Sequence, residues 1–404
     1  MFYEFPRIET LSDVLPAIAG AAEFIVADRG DHTVVNYVVC TPDTFPPVAT
    51  AGGSAKMRAE ATRNKAIRRE CRGMIFDNAT GKIIRRAYHK FFNLNQIAET
   101  QIDKIDLTKG HDIIEKLDGS MIVPYRVNGR VIWGTKMGDT DVCTPVEAFV
   151  KKNPQYLEFF QLAEKDNLSL IFEWMSRVNR IVIDHPEDRL VLTAARDINT
   201  GEYMNFEEMT LSAICNGIPV VDRFHVGENT SIDTIMEYIR AQEGTEGVVI
   251  RFDNGHMIKI KSEWYSAIHG AKELITEEKN VVSLILDEKM DDIKALVLQE
   301  DRDNLDRYER QFWEKIQQFV VDLECNVYTR IKGYRDRKTY ALEQSNNDDD
   351  YLRVATFYFF DQPDNLEGDV LKFVTDRFIR QNLGTRTKFA AMKQKVFPNQ
   401  RLYL

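Results

Sequence analysis

The stretch EGVVIRFDNGHMIKIKS, residues 246–262, reads as two short strands joined by the turn Asp253-Asn254-Gly255. Alternation along the second strand puts Lys259 and Lys261 on one face, with Ile258 and Ile260 on the other. The hairpin decides the fold because it stands where the sequence changes period. Upstream, SMIVPYRV and RVIWGTK flank Asn128-Gly129, a strong two-residue hairpin signal, and LSLIFEW and RLVLTAARD are strand-like. Downstream, Leu305, Tyr308, Phe312, Ile316, Phe319, Leu323 and Val327 recur at spacings of three and four. That is one face of a long amphipathic helix, which Gly333 can end. Val282, Ile285, Ile293, Leu296 and Val297 suggest another helix, and no sustained period of two follows Tyr265. The expected fold class is therefore α+β: an antiparallel-sheet domain over 1–268, then an all-α domain over 269–404. PPVATAGGSAK (46–56) reads as a flexible loop and QSNNDDD (344–350) as a polar acidic one.

The 404 residues suffice for two or three domains, and a chain 44% hydrophobic and 29% charged is that of a soluble globular protein. Its apolar runs are far too short to span a membrane, and MFYEFPRIET carries no secretion signal. Five scattered cysteines argue against a disulfide framework or a zinc cluster and for a reducing compartment, read here as cytoplasm. The net charge of −10 argues against a nucleic-acid partner, but its distribution does not. Lys56 to Lys90 holds eleven basic residues against three acids, and Lys372 to Lys395 holds seven against one. Segregated charge can line a groove for phosphates, although a single such run is more often a solvated face.

EKLDGS, residues 115–120, places Lys116 two residues before an Asp-Gly pair. On its own this is weak, since a Lys-x-Asp-Gly string arises by chance in about one chain in ten of this length. An amine that attacks phosphorus must be unprotonated, which nearby cations and partial burial favour. The same cations would neutralise a triphosphate, and a carboxylate is needed to orient the amine or hold a metal. The chain supplies such parts in strands or turns: Glu173 in FEW, Glu246 opening EGVV, Lys259 and Lys261, Lys136, Arg72 in RRECRG, and Lys90 with Phe92 in HKFFN.

In order along the chain, EKLDGS, IFEWMS, EGVVIRF and IKIKS resemble the motifs of the covalent nucleotidyltransferases, the superfamily of ATP-dependent ligases and capping guanylyltransferases. VVNYVV, ECRGMIF, KFFNLNQ, NRIVI, KIKSEWY and DRKTYALE resemble one branch more closely, the bacteriophage RNA ligase 1 family of tRNA-repair ligases. The resemblance implies an ATP-grasp-like ligase domain with ATP and Mg²⁺ or Mn²⁺ as cofactors. It implies that Lys116 takes AMP as a phosphoramidate, that Asp118 and Gly119 shape its loop, and that Glu173 assists attack. It assigns Glu246 to the nucleotide pocket, with Glu115 beside the nucleophile, and Lys259 and Lys261 to phosphate oxygens. Arg72, Lys90, Phe92, Lys136 and Tyr37 join the nucleotide-contacting set, and Tyr265 matches as well. Asp291 and Asp292 match an acidic pair able to hold a divalent ion with Glu173, although a solvated helix turn is the favoured reading. Of Phe91 and Phe92, one is expected in the core and one near the base.

The implied partner is RNA with 5′-phosphate and 3′-hydroxyl ends, a nicked tRNA anticodon loop above all, handled by a monomer and prepared by an end-healing polynucleotide kinase-phosphatase. The helical domain, with its basic segment from Lys372, would grip that RNA. A DNA ligase or a capping guanylyltransferase is the alternative, disfavoured because such enzymes carry a β-barrel where this chain turns helical. A non-catalytic RNA-binding protein is the second alternative, disfavoured because the charged motif residues are all present. One departure is the long, arginine-rich stretch between VVNYVV and ECRG, either an RNA-contacting insertion or a disordered loop.

Overall fold

A computed structural model describes residues 4–41, 43–48, 54–227, 230–360 and 366–402. The chain divides into two compact units, Met1–Ser266 and Ala267–Leu404. Among the described residues no helix is long and apolar enough to cross a membrane, and the five cysteines are free.

The first unit holds twelve strands: β1 (Phe24–Asp28), β2 (His32–Tyr37), β3 (Arg72–Asp77), β4 (Ile83–Arg85), β5 (Phe92–Asn93) and β6 (His111–Glu115), then β7 (Ser120–Val127), β8 (Arg130–Gly134), β9 (Leu168–Met175), β10 (Arg189–Asp197), β11 (Gly247–Phe252) and β12 (Met257–Lys261). They form three four-stranded sheets, ordered β1-β2-β3-β4, β10-β9-β7-β8 and β5-β12-β11-β6. Every pairing is antiparallel except the short β5–β12 contact. Helices α1 (Leu15–Ile18), α2 (Ala55–Glu70), α3 (Cys143–Lys152), α4 (Gln155–Lys165), α5 (Phe206–Cys215) and α6 (Ile232–Arg240) cover them.

The sheets follow from local chemistry. Asn128 and Gly129 both take positive φ, +48° and +75°, which twists the β7–β8 hairpin in the sense its strands require. Gly255, at φ +83°, does the same for β11–β12, where Lys259 and Lys261 share a face as alternation demands. α3, α4 and α5 pack on the second sheet around Trp133, Phe160, Phe172 and Trp174. α6 buries Ile232, Ile235 and Ile239 against the third sheet. α2 lays Ile67 against Met74 and Phe76 of the first sheet.

The arginine-rich stretch is in large part helical, with Lys56, Arg58 and Arg63 exposed and Arg69 buried. From Ala55 it is α2, capped by Ser54, and residues 49–53 of the expected loop lie outside the described ones. Arg69 pairs with Glu99, Arg85 donates to the carbonyls of Gly73, Val123 and Thr135, and Arg86 pairs with Glu70. Sequence cannot separate a solvated charge from one buried among distant carbonyls.

The second unit is helical throughout its described residues: the greater part of α7 (Glu263–Ile275), α8 (Glu278–Leu286), α9 (Met290–Lys294), α10 (Gln299–Gly333), α11 (Arg337–Glu343), α12 (Asp350–Phe359), α13 (Leu366–Phe373) and α14 (Arg386–Val396), with wider turns over Val374–Ile379. The apolar stripe of α10 is buried at Leu305, Tyr308, Phe312, Ile316, Leu323 and Val327, with Phe319 partly so. The helix expected over 282–297 is two, α8 and α9, because the chain turns at Glu288 with φ +57°. The acidic loop is not simply solvated: Asp348 is buried and accepts from Arg330 (2.8 Å), Tyr340 (2.9 Å) and Gln344 (3.1 Å). The basic segment from Lys372 is also partly spent internally. Arg380 pairs with Asp287, Arg386 with Glu277 and Lys393 with Glu278. A phosphate groove would have to compete with those carboxylates.

Candidate active site

Lys116 lies where the chain leaves β6 in the third sheet and enters β7 in the second. The Asp118-Gly119 pair is thus a crossing between sheets, not a hairpin turn. The Lys116 N–H donates to the Gly247 carbonyl at 2.8 Å, which ties the nucleophile's backbone to the start of β11. Its Nζ lies 2.7 Å from Glu246 Oε2, while Lys261 Nζ lies 3.0 Å from Glu246 Oε1. Glu246 is only 4% exposed, so one buried carboxylate holds two ammonium groups.

The crossing is rigid for identifiable reasons. Asp118 is buried; its Oδ2 accepts the Val182 and Ile183 N–H groups at 2.9 and 2.6 Å, and its Oδ1 accepts the Tyr265 hydroxyl at 2.7 Å. Its carbonyl lies 2.9 Å from His185 Nε2. Gly119 packs so closely on β9 that a Cβ would sit 2.3 Å from the Trp174 carbonyl oxygen and 3.1 Å from Glu173 Cγ. No other residue fits there without moving backbone.

Glu173 on β9 faces this loop. Burial pushes its carboxyl up to about 7, with Glu246 and Asp118 acting in the same direction and Lys116 and Arg72 against it. Lys259 shows the opposite response: burial, reinforced by Lys116, Lys90, Arg72 and Lys261, brings its ammonium down to about 6.

The remaining cations come from β3 (Arg72), from the segment before β5 (Lys90) and from the turn after β8 (Lys136), and they gather around Tyr37 of β2. Burial would raise the Tyr37 phenol, but Arg72, Lys90 and Lys136 outweigh it and hold the group below its ordinary value. Lys90 and Lys136 lie 5.3 and 5.2 Å from the Tyr37 ring. Gly73, at φ +88°, lets β3 approach the Lys136 backbone, where a Cβ would meet the carbonyl oxygen at 2.6 Å. This brings Arg72 and Lys136 together. Phe92 is the core aromatic, buried beside Lys90, whereas Phe91 is partly exposed with Lys259 5.4 Å from its ring. Each ring thus lies beside a lysine of the charged cleft, Phe92 beside Lys90 and Phe91 beside Lys259, with Phe91 the more exposed of the two.

The remaining expected residues have partners of their own. The Glu115 carboxyl is raised by burial and by Asp222, with Arg189 and His185 opposing, so its surroundings are not the lysine cluster. Tyr265 is buried and serves through Asp118. Asp291 and Asp292 are exposed in the first turn of α9 in the second unit, where acids suit a helix N-terminus. Both carboxylates are exposed, as in the favoured reading of a solvated helix turn, and among the described residues no group of three His, Cys, Asp or Glu is placed to hold a metal.

Sequence reasoning missed the support behind Arg72 and Lys90. Glu70, fully buried, pairs with Arg86 at 2.9 Å and Arg196 at 2.8 Å, both also buried. Burial would raise the Glu70 carboxyl, but Arg196 and Arg86 hold it down to about 2. Glu70 is two residues from Arg72, and the Lys90 N–H donates to the Arg69 carbonyl at 2.7 Å, so this triad anchors both cation-bearing segments. The one signal available was three charges flanking apolar strands.

Residues 70–265 match the family model described as RNA ligase. A protein of Thermovibrio ammonificans, provisionally named an RNA ligase, is 31% identical over 301 residues, 71% of this chain and 72% of that protein. The chain belongs to the RNA ligase family. The family match opens at Glu70 and closes at Tyr265, so it encloses every sheet-borne site residue named above except Tyr37. A protein of Autographa californica nuclear polyhedrosis virus, provisionally named a bifunctional polynucleotide kinase/RNA ligase, is 26% identical over 59% of this chain but only 36% of its own length. Among solved structures, an archaeal ATP-dependent RNA ligase aligns at 19% identity and TM-score 0.42, covering 66% of this chain and 64% of that one. A Naegleria gruberi RNA ligase aligns at 16% and 0.37, covering 45% and 57%. The chain spans less than two thirds of either solved protein.

Proposed function

We propose that the protein is an ATP-dependent RNA ligase that works through a covalent AMP on Lys116. The observation that carries this reading is the sharing of buried Glu246 by Lys116 and Lys261, beside Lys259, whose ammonium is strongly disfavoured. A polyanion would relieve the crowding of Lys116, Lys90, Arg72 and Lys261 that disfavours the Lys259 charge, and a triphosphate supplies one.

In the first step the Lys116 amine attacks the α-phosphorus of ATP. The N–P bond forms, the bond to the bridging oxygen breaks, and pyrophosphate leaves. Glu246 orients the amine. Glu173, its carboxyl raised to about 7, can accept a proton near neutral pH. In the second step a 5′-phosphate oxygen of RNA attacks the AMP phosphorus and Lys116 leaves as an amine. In the third, a 3′-hydroxyl attacks the activated 5′-phosphorus, AMP leaves and the strand is sealed. Arg72, Lys90, Lys136, Lys259 and Lys261 neutralise phosphate charge throughout. Glu173 makes no ion pair among the described residues, so it would be the site carboxylate available to hold Mg²⁺ or Mn²⁺. A bound cation would supply further neutralisation of the phosphates.

The proposed substrate is a cleaved tRNA anticodon loop, acted on by a cytoplasmic monomer after a kinase-phosphatase has prepared the ends. Its support is the resemblance of DRKTYALE (336–343), in the second unit, to the tRNA-repair ligases. The test compares sealing of a broken tRNA, a generic single-stranded RNA and nicked duplex DNA. Faster sealing of the tRNA supports the reading, and preference for DNA contradicts it. Labelled GTP that marks the protein as well as ATP does would favour capping chemistry.

A further inference from the structure

β9 and β10 pair as far as Met175 and Arg189, so a turn of roughly two to five residues would suffice to join them. The connection is instead residues 176–188, which leave β9 just beyond Glu173. Its length is spent on the nucleophile's loop. The Val182 and Ile183 N–H groups hold the Asp118 carboxylate, Asn179 Nδ2 donates to Ser120 Oγ at 2.7 Å, and His185 Nε2 lies 2.9 Å from the Asp118 carbonyl oxygen. A carbonyl oxygen only accepts, so that ring nitrogen carries a proton and donates it. The segment is also closed on itself as a strap. Arg177 grips Asp184 through two bonds of 3.0 Å, Arg180 Nε donates to the Val182 carbonyl at 3.0 Å, and the Val182 side chain is buried.

These bonds constrain different things. Those to the carboxylate fix the Asp118 side chain. The His185 bond fixes the peptide plane that enters Gly119, the residue type with the widest backbone freedom. On the other side, the Lys116 N–H is held by the Gly247 carbonyl at 2.8 Å. Lys116 therefore lies between two backbone anchors, one at the start of β11 and one on the strap.

We propose that the strap positions the nucleophile and that His185 is its positioning residue. By donating to the Asp118 carbonyl, His185 holds the Lys116 backbone in line for attack on phosphorus. It acts through Asp118 and touches no reacting atom. The consequence for attack rests on the RNA ligase reading, whereas the hold on the crossing does not.

Two measurements on the full chain test this. The first is single-turnover label transfer from ATP at varied ATP, with wild type, His185→Ala, His185→Gln and His185→Asn. A glutamine amide nitrogen stands as far along its side chain as histidine Nε2, whereas that of asparagine matches Nδ1. His185→Ala and His185→Asn should lower the maximal rate about tenfold, the scale of one hydrogen bond, at unchanged half-saturating ATP. His185→Gln should recover most of that rate. The second is hydrogen exchange over residues 115–121 and 180–185, which needs no turnover. Exchange should quicken in both segments in His185→Ala and His185→Asn and slow again in His185→Gln. His185 is half-exposed, so all three variants should keep the wild-type melting temperature. Wild type that takes no label would end the ligase reading, and the exchange would still decide whether His185 holds the crossing. The proposal would be overturned by wild-type label transfer in His185→Ala, by a loss expressed only in half-saturating ATP, by His185→Gln as slow as His185→Ala, or by unchanged exchange.

Discussion

The Glu246 carboxylate lies 2.7 Å from the Lys116 ammonium, and its other oxygen lies 3.0 Å from Lys261. One buried acid therefore sets the position of the nucleophile and of a phosphate-binding lysine together. β11 begins one residue after Glu246 and β12 ends at Lys261, so the hairpin itself builds this clamp.

Glu246→Gln should keep the shape and lose the charge. The rate of label transfer from ATP to protein should fall by about 10- to 100-fold, the scale of about 1.4 to 2.7 kcal/mol in charge-assisted bonding. Lys261→Ala should act in the same direction through weaker ATP binding. Single-turnover labelling at varied ATP separates the two effects.

Glu173 predicts a pH profile. Its carboxyl is held up to about 7, so it is mostly protonated below that pH and mostly ionised above it. If the ionised form assists attack, kcat/KM for adenylylation should rise with pH through about 7 and then level off. Glu173→Gln should be slow and should lose this limb. A wild-type profile flat from pH 6 to 8 would count against the role.

The Lys116 crossing should be intolerant of small changes. Gly119→Ala drives a Cβ to 2.3 Å from the Trp174 carbonyl, and overpacking of this kind costs about 1–3 kcal/mol. Asp118→Ala strands the Val182 and Ile183 N–H groups and the Tyr265 hydroxyl, at about 1–3 kcal/mol for a buried unsatisfied group. Thermal melts should show both losses. Tyr265→Phe removes a single donor and should be much milder than Asp118→Ala.

Much of the architecture was legible because strands and helices write their period locally. The β7–β8 and β11–β12 hairpins, the α10 stripe and the change of period after Tyr265 all rest on neighbours within a few residues. The cluster of Lys116, Glu246, Lys259 and Lys261 was legible through its motifs. Partners distant in sequence were not. Nothing local marks Glu70 as the buried counter-ion of Arg86 and Arg196, 126 positions separating it from the latter. Nor does anything local tell that Phe91, rather than Phe92, lies beside Lys259, since β5 spans only two residues and strand alternation over two positions is uninformative. Which charges of the basic runs are taken up internally was hidden for the same reason, because Arg85, Arg86 and Lys393 meet their partners only in the folded chain.

The buried triad predicts acid sensitivity. The folded-state Glu70 carboxyl sits at about 2 against an ordinary 4.5. Its stabilisation is present above about pH 4.5 and drains away as pH falls from there through about 2. Glu70→Ala leaves Arg86 and Arg196 buried without their counter-charge and should cost about 3–5 kcal/mol, read by chemical denaturation at neutral pH.

The central claim is that Lys116 carries AMP. Wild-type protein incubated with α-labelled ATP and magnesium, then run on a denaturing gel, should retain label on the protein band, and Lys116→Ala should retain none. No label on wild type, or undiminished label on Lys116→Ala, would contradict the account.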